Sequence, residues 1–159
     1  MPCVLVCQLP SRLTMSTNNN TDRALHAEGL TKEFQQKKKA PVCALKDITL
    51  SVRAGEVTGL VGPDGAGKTT LLRLAAGLLL PTHGNISVLG LDCEKQSIEI
   101  QSRVGYMPQQ FGLYQDLTVQ ENMDLYSDLQ GVVKELRPER YEKLLQMTGV
   151  SPQIGLHVI

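Results

Sequence analysis

A short stretch in the first half of the chain combines glycine, lysine and hydroxyl side chains at a spacing that suits polyphosphate binding. The stretch GPDGAGKT, residues 62–69, matches the Walker A pattern G-x-x-x-x-G-K-[ST]. Its glycines allow backbone conformations closed to other residues, so that successive N–H groups can point into one cradle. A lysine charge suits the phosphates, and a threonine hydroxyl suits Mg²⁺. The pattern therefore predicts a site for a polyphosphate with its metal ion.

Each polar residue of this loop has an expected role. Lys68 is expected to reach the β- and γ-phosphates, Thr69 to bind Mg²⁺, and Thr70 to add a hydroxyl on the α-phosphate side. Asp64 is unusual in an anion site, because a carboxylate repels phosphate, and we expect it to point outward. The alternative is a glycine-rich turn without a ligand, but such a turn does not need Lys-Thr at this spacing. The loop residues predicted to bind the nucleotide are Gly62, Asp64, Gly65, Ala66, Gly67, Lys68, Thr69 and Thr70.

Short apolar segments around the loop predict a set of strands and one helix that position it. The run EVTGLVG, residues 56–62, suits a buried strand leading into the loop, and Leu- and Ala-rich residues 68–80 suit a helix ended by Pro81. The connection at Lys37–Lys39 is interpreted as a solvated loop. The remaining predicted strands are 24–30, ending near Gly29, then 45–52, 85–92 and 103–109, the last ended by Pro108.

Two further helices are predicted near the end of the chain. In the first, Thr118 is expected to cap the helix with Glu121 as the partner of a capping box. The second has Pro138 at its start and Gly149 at its stop. Both carry an apolar stripe expected to face a core. The stripe positions are Val119, Asn122, Met123, Leu125, Tyr126 and Leu129 in the first helix and Tyr141, Leu144 and Leu145 in the second.

Composition excludes several classes of partner. Sixteen basic and sixteen acidic residues cancel, which argues against a nucleic-acid partner. No stretch approaches the roughly 20 apolar residues of a membrane helix. The cysteines and histidines have no metal-ligand spacing and are interpreted as ordinary reduced thiols and unligated imidazoles. Residues 1–23 are left out of the fold as a predicted disordered extension, with Met15 as an alternative start.

Several motifs together resemble one family. Residues 24–149 are similar to the ATP-binding subunit of an ABC transporter, and those of drug and lipid exporters in particular. The resemblance implies an α/β P-loop NTPase fold with a small antiparallel β-subdomain and the start of a helical subdomain, formed by residues 24–150. The stretches that carry it are GLTKEF, ALKDITLSVRAGEVTGLVGPDGAGKTTLLRLAAGLLLPTHGNISVLGLD, VGYMPQ and FGLYQDLTVQEN.

The resemblance also implies roles outside the loop. Phe34 matches an aromatic that stacks on adenine, and its alternative is a loop aromatic closing a small core. Gln109 matches a catalytic glutamine that touches Mg²⁺ and the attacking water, with Lys68 as the other catalytic residue. The alternative for Gln109 is a polar residue in a turn. Because Gln110 is its neighbour, either glutamine could match the family's position. The implied ligands are ATP and Mg²⁺. The implied partners are a transmembrane permease and a second ATP-binding domain, at the cytoplasmic face of a membrane.

The resemblance stops before the end of the sequence. The family's signature motif, its Walker B strand with Asp and Glu, and its switch histidine are expected after residue 150, and the tail 151–159 matches none of them. Asp92 ends a strand-like run, but Cys93 rather than Glu follows, so Asp92 is not assigned to Mg²⁺. We therefore expect an incomplete parallel sheet with an unpaired apolar edge, and ATP binding without useful hydrolysis. Whether the chain is an enzyme is left open.

Three hypotheses follow from these motifs. The first is a truncated ABC-type ATPase, whose intact form would hydrolyse ATP to drive export. The second is a nucleotide-binding module that never hydrolyses, and the third is a non-functional product. A P-loop kinase or GTPase is weaker, since the sequence contains no base-reading N-K-x-D motif.

Overall fold

The computed structural model describes residues 4–7, 22–109 and 112–149, and of residues 4–7 only the backbone. The chain divides into two units, Met1–Gln109 and Gln110–Ile159. Within the described residues, no helix is long and apolar enough to cross a lipid bilayer.

The first unit contains a twisted antiparallel sheet and a separate strand pair. The four-stranded sheet has the order β3-β2-β4-β5, and β1 pairs with β6 in a two-stranded antiparallel sheet. This confirms the predicted α/β fold with a small antiparallel β-subdomain. The strands are β1 (Val4–Cys7), β2 (Arg23–Gln36), β3 (Lys39–Arg53), β4 (His83–Val88), β5 (Leu91–Asp92) and β6 (Val104–Met107), and the helices are α1 (Lys68–Ala75) and α2 (Ser97–Arg103).

Strand β2 continues well past Gly29, where the sequence predicted its end. Gly29 has φ 58°, and the pairing of β2 with β3 shifts register between Ala27 and Leu30. This irregularity adds a residue to the strand without ending it. As a result Leu25, Ala27 and Leu30 are all buried, although strict alternation would have turned Leu30 outward. The predicted solvated connection at Lys37–Lys39 is the exposed hairpin end between β2 and β3.

Helix α1 packs its apolar face on the core of this sheet. Leu71, Leu74 and Ala75 are buried and spaced as neighbours on one helical face. They belong to a core that also contains residues of β2, β3, β4 and α2. The other buried members are Leu25, Ala27, Leu30, Leu45, Ile86, Val88, Cys93 and Ile100.

Helix α1 is shorter than predicted. It ends at Ala75, whereas the sequence analysis extended it to Leu80. Gly77 adopts φ 67°, and Leu78 N–H donates to Arg73 O at 2.9 Å across the helix end. A left-handed glycine closes a helix in this way before any proline is reached. Pro81 therefore lies in the connection to β4 and does not end the helix.

The segment that precedes the phosphate loop is not a strand. Residues 56–63 belong to no helix or strand, in contrast to the buried strand predicted for 56–62. Val57 and Val61 are fully exposed, and Leu60 is 42% exposed. An apolar run becomes a buried strand only where neighbouring strands cover both its faces and pair with its backbone. The described residues supply no such neighbours for this segment. The expected parallel strand with an unpaired edge is therefore not formed here.

Two elements of the first unit were not expected from the sequence. Val4–Cys7 forms a strand in register with β6, although residues 1–23 were left out of the predicted fold. Asp22 and Arg23, also inside the predicted extension, form a turn residue and the first residue of β2, and the rest of 1–23 lies outside the described residues. Helix α2 was missed because its two isoleucines alternate like a strand, with Ile98 exposed and Ile100 buried.

The second unit contains the two predicted helices, α3 (Val119–Leu129) and α4 (Arg137–Thr148), with a 3-10 turn at Lys134–Leu136. The predicted capping box is confirmed, because Glu121 N–H donates to Thr118 Oγ1 and Thr118 N–H donates to Glu121 Oε2. Gly149 ends α4 with φ 65°, as predicted. The tail 151–159 lies outside the described residues.

Part of each apolar stripe lines an open groove instead of facing a filled core, and Leu125, Leu129 and Leu145 lie outside the groove lining. The groove has a volume of about 330 Å³, and Leu129 and Leu144 are 69% and 53% exposed. The prediction that the whole α3 stripe faces a core is therefore wrong. The groove residues are Leu113, Val119, Asn122, Met123, Tyr126, Ser127, Gln130, Val132, Tyr141 and Leu144.

A buried asparagine fixes the loop before α3. Asn122 is only 2% exposed. Its Oδ1 accepts from Tyr114 N–H at 2.9 Å, and its Nδ2 lies within hydrogen-bond distance of the carbonyl oxygens of Tyr114, Leu117 and Thr118. The amide gives Tyr114 N–H and Leu117 O a partner, and it adds a second donor to Tyr114 O and Thr118 O, which also accept from backbone N–H groups. The sequence placed Asn122 correctly on the inner face but gave no indication of this polar role.

Polar contacts also join α4 to α3. Arg137 donates to Val132 O and to Asp128, with 2.5 Å between its Nη2 and Asp128 Oδ1. The Tyr141 hydroxyl lies 2.7 Å from Ser127 Oγ and 3.0 Å from Asp124 Oδ1. A hydrogen bond from Gln120, supported by Tyr141 and the charge of Arg137, lowers the pKa of Asp124 despite partial burial.

We predict that Asn122→Ala destabilises the second unit by about 1–3 kcal/mol, since Tyr114 N–H and Leu117 O lose their hydrogen bonds to the buried amide. Urea unfolding followed by far-UV circular dichroism measures the change. Gln120→Ala is the matched control, because Gln120 is also an amide on α3 but bonds only to Asp124 on the same helix. We expect it to cost under about 1 kcal/mol. Equal costs for both variants would contradict the role of Asn122.

Candidate functional site

A cavity of about 370 Å³ lies beside the start of α1. It brings together most of the residues that the sequence singled out, and it lies wholly within the first unit. Gly62 and Phe34 are not among its lining residues, while Ala44, Leu60 and Leu72 line it without having been predicted. The lining residues are Ala44, Leu60, Asp64, Gly65, Ala66, Gly67, Lys68, Thr69, Thr70, Leu72 and Gln109.

The loop reaches α1 through a close contact with strand β3. Gly67 has φ 86° and forms the N-cap of α1. A Cβ at this position would lie 2.4 Å from Ala44 O and 2.7 Å from Leu45 Cδ2. No side chain fits there, so glycine is required both by the backbone conformation and by the space. No local sequence pattern identifies Ala44 as a neighbour, because it belongs to a strand distant in the chain.

The start of α1 presents backbone donors to the cavity. Leu71 N–H donates to Gly67 O at 2.9 Å and is the first N–H with a partner one helical turn back. The N–H groups of Lys68, Thr69 and Thr70 precede it, and helix geometry leaves such groups without intrahelical acceptors. The helix dipole adds partial positive charge at the same place, and no acidic residue lies in the first turn. This end of the cavity is therefore suited to an anion.

The Lys68 side chain folds back over the loop. Its Nζ donates to Gly62 O and to Pro63 O, at 2.7 Å each. These two bonds hold the ammonium at the cavity and tie the loop's entry to its exit. They also give Gly62 a place in the site through its carbonyl group, although Gly62 does not line the cavity.

Oxygen donors suitable for Mg²⁺ lie on the same cavity. Thr69 and Thr70 are half-buried at the start of α1, and Gln109, which follows β6, lines the cavity with them. Hydroxyl and amide oxygens are ligands that Mg²⁺ accepts alongside phosphate oxygens and water. The donor set therefore fits a polyphosphate with Mg²⁺. Gln110, the alternative register for the glutamine, lies outside the described residues.

Asp64 is exposed and is one of the residues that line the cavity. It sits in the turn at residues 64–65, where Ala66 N–H donates to Pro63 O at 3.3 Å. That its carboxylate turns away from bound phosphate stays a prediction.

Phe34 lies on strand β2, away from the cavity lining. Its ring is 38% exposed, with the Lys32 ammonium 5.3 Å from the ring centroid. Lys32 also donates to Leu80 O at 2.7 Å. The alternative of a loop aromatic closing a small core does not describe this exposed strand position. The adenine contact itself stays a prediction.

Asp92 has a local structural role. Its Oδ1 accepts from Glu94 N–H at 2.8 Å and from Lys95 N–H at 3.2 Å, which forms the turn after β5. Asp92 is not among the residues that line the cavity. The neighbouring Cys93 is buried, and this burial, together with the charge of Asp92, raises the pKa of its thiol to about 11. It is an inert core residue.

The fold with this phosphate cavity is that of an ATP-binding cassette. The dimeric structure of MJ0796, described as a bacterial ABC transporter cassette, superposes with a TM-score of 0.71 at 26% identity. It covers 84% of this chain and 60% of that chain. A structure of MJ0796 in a post-hydrolysis state with ADP and Pi gives a TM-score of 0.70 at 24% identity, with the same coverage, and supports the fold alone.

The chain belongs to the ABC transporter family, whose model matches residues 45–155. It is 48% identical over 134 residues to the probable multidrug ABC transporter ATP-binding protein YbhF of Escherichia coli, covering 84% of this chain and 23% of that protein. It is 40% identical over 129 residues to the ABC transporter ATP-binding protein NatA of Bacillus subtilis, covering 80% of this chain and 52% of that protein. The osmoprotectant import ATP-binding protein OsmV of Salmonella typhimurium is 35% identical over 131 residues, which are 82% of this chain and 34% of OsmV. The chain thus spans about a quarter to a half of the length of these relatives.

We predict that Gly67→Ala deforms the phosphate loop and lowers the free energy of unfolding of the first unit by about 2–4 kcal/mol, because the added Cβ meets backbone. Gly65→Ala is the matched control, since Gly65 has φ 81° but open space around its Cβ position. Its strain alone should cost about 1–2 kcal/mol. Thermal and urea unfolding of both variants measure the difference. If Gly67→Ala is no less stable than Gly65→Ala, the close approach to Ala44 does not constrain the loop.

Proposed function

We propose that this chain binds ATP with Mg²⁺ in the cavity at the start of α1, as the nucleotide-binding part of an ABC transporter. One observation carries the proposal: Lys68, Thr69, Thr70 and Gln109 line a single cavity with the exposed N–H end of α1. Positive charge, backbone donors and oxygen ligands are the groups that Mg–ATP needs, and they converge there.

Each residue then has a defined part in holding the nucleotide. The N–H groups at the start of α1 and the Lys68 ammonium bind phosphate oxygens, for which Lys68 exchanges one or both of its bonds to loop carbonyls. Thr69 and Gln109 supply oxygen ligands to Mg²⁺. The bound ion supplies charge neutralisation of the phosphates. We further propose that adenine stacks on Phe34, whose partly exposed ring is available on β2.

Hydrolysis needs more than these residues. Cleavage of the terminal phosphate requires a group that orients the attacking water and an opposing charge that stabilises the transition state. Among the described residues that line the cavity, Asp64 is the one acidic residue and Lys68 the one cation. We propose that this segment binds nucleotide, and that turnover depends on residues outside it and on a second ATP-binding domain.

The biological role that we propose is to couple ATP to transport across a membrane, in contact with a transmembrane partner at its cytoplasmic face. The family's ATP-binding domains work with transmembrane components and dimerise. For the direction of transport we propose export. The multidrug relative supports it at 48% identity, whereas the osmoprotectant importer is 35% identical.

We predict saturable binding of Mg–ATP to the purified chain, and a loss of affinity of about 10- to 100-fold in Lys68→Ala, the range expected for charge-assisted bonds to phosphate. Isothermal titration calorimetry measures both affinities. Lys143→Ala removes a positive charge on α4, outside the cavity, and should bind like the parent chain. A folded chain that binds no Mg–ATP, or one that binds equally well without Lys68, would refute the proposed site.

A further inference from the structure

Asp64 brings to the phosphate cavity a negative charge that an anion site does not need. Among the described residues that line the cavity, Lys68 is the one cation and Asp64 the one anion. The side-chain charges of the lining therefore sum to zero. Attraction for a polyphosphate comes from the backbone N–H groups and the helix dipole, with Asp64 opposing it.

The two opposite charges are not paired with each other. The Lys68 ammonium donates to Gly62 O and Pro63 O, at 2.7 Å each. In the part of the chain that the structure describes, the ion pairs within 4 Å join other residues. The Asp64 charge is therefore not neutralised by a local ion pair. Even with the carboxylate turned outward as predicted, its charge stays on the phosphate loop and repels an anion in the cavity.

Repulsion from a fixed carboxylate grows with the charge of the ligand. Free ATP carries about four negative charges near neutral pH, and Mg²⁺ cancels about two of them, so Asp64 opposes the metal-free nucleotide roughly twice as strongly. We propose that Asp64 is a specificity-determining residue that makes nucleotide binding dependent on Mg²⁺, by excluding metal-free polyphosphate from the loop. The inference rests on the proposed ATP binding and adds that the site prefers Mg–ATP to metal-free ATP.

The test measures the affinity for ATP twice, with excess Mg²⁺ and with excess EDTA, by isothermal titration calorimetry at low ionic strength. The quantity compared is the ratio of the two dissociation constants. In Asp64→Asn, which keeps the shape and removes the charge, we expect this ratio to fall at least about fivefold, mainly through tighter binding in EDTA. The change should shrink in high salt, because the two charges meet in a solvent-accessible cavity.

Glu94→Gln is the control for charge, since it removes one negative charge from an exposed turn of the same unit outside the cavity. It should leave the ratio as in the parent chain. Asp64→Ser provides a second neutral side chain, and circular dichroism establishes that each variant is folded. A fall in the ratio for both neutral variants supports the inference.

Two results would overturn the inference while leaving ATP binding intact. One is an unchanged ratio in both Asp64 variants. The other is a loss of Mg–ATP affinity with no gain in EDTA, which would make Asp64 a support for the metal ion. A parent chain that binds ATP in neither condition would instead refute the proposed function, and the inference with it.

Discussion

The start of helix α1 lies so close to strand β3 that a side chain cannot be accommodated between them. This contact of Gly67 with Ala44 O sets where the helix begins, and thus where its unpaired N–H groups point. It also places Lys68, the next residue, over the loop carbonyls. The buried leucines of α1 hold the helix on the sheet from the other side. The cavity is therefore shaped by backbone packing. Its polar side chains project from backbone segments that the hydrophobic core holds in place.

The electrostatics of the cavity follow from the same frame. Oriented N–H groups and a helix end provide a positive field that no titration removes, whereas the side-chain charges of Lys68 and Asp64 oppose each other. In a site of this kind, the hydrogen bonds from backbone N–H groups to phosphate contribute more to recognition than the net charge of the side chains.

The sequence predicted features whose causes are local. The capping box of Thr118, the stop at Gly149 and the glycine-rich loop depend on neighbours a few residues away, and each is present. It failed where the cause is distant. Residues 56–62 have a strand's composition, but a strand needs partners that the described residues do not provide. The extension of β2 past Gly29 depends on pairing with β3, and the polar use of Asn122 depends on a loop packing over α3.

The phosphate loop is entered through the exposed segment 56–63 and left through helix α1. These two sides differ strongly in how easily they open locally. The side that leads into α1 is fixed by helix bonds and by the core from Leu71 onward, so the amides from Leu71 onward should be protected from exchange with solvent almost as long as the unit stays folded. The side that enters the loop has neither ladder bonds nor burial, and its amides should exchange far faster. Ordering this entry side carries an entropic cost. A strand that paired with residues 56–63 would order this segment before the ligand binds. The loop would then bind its ligand more tightly without any change in its own residues.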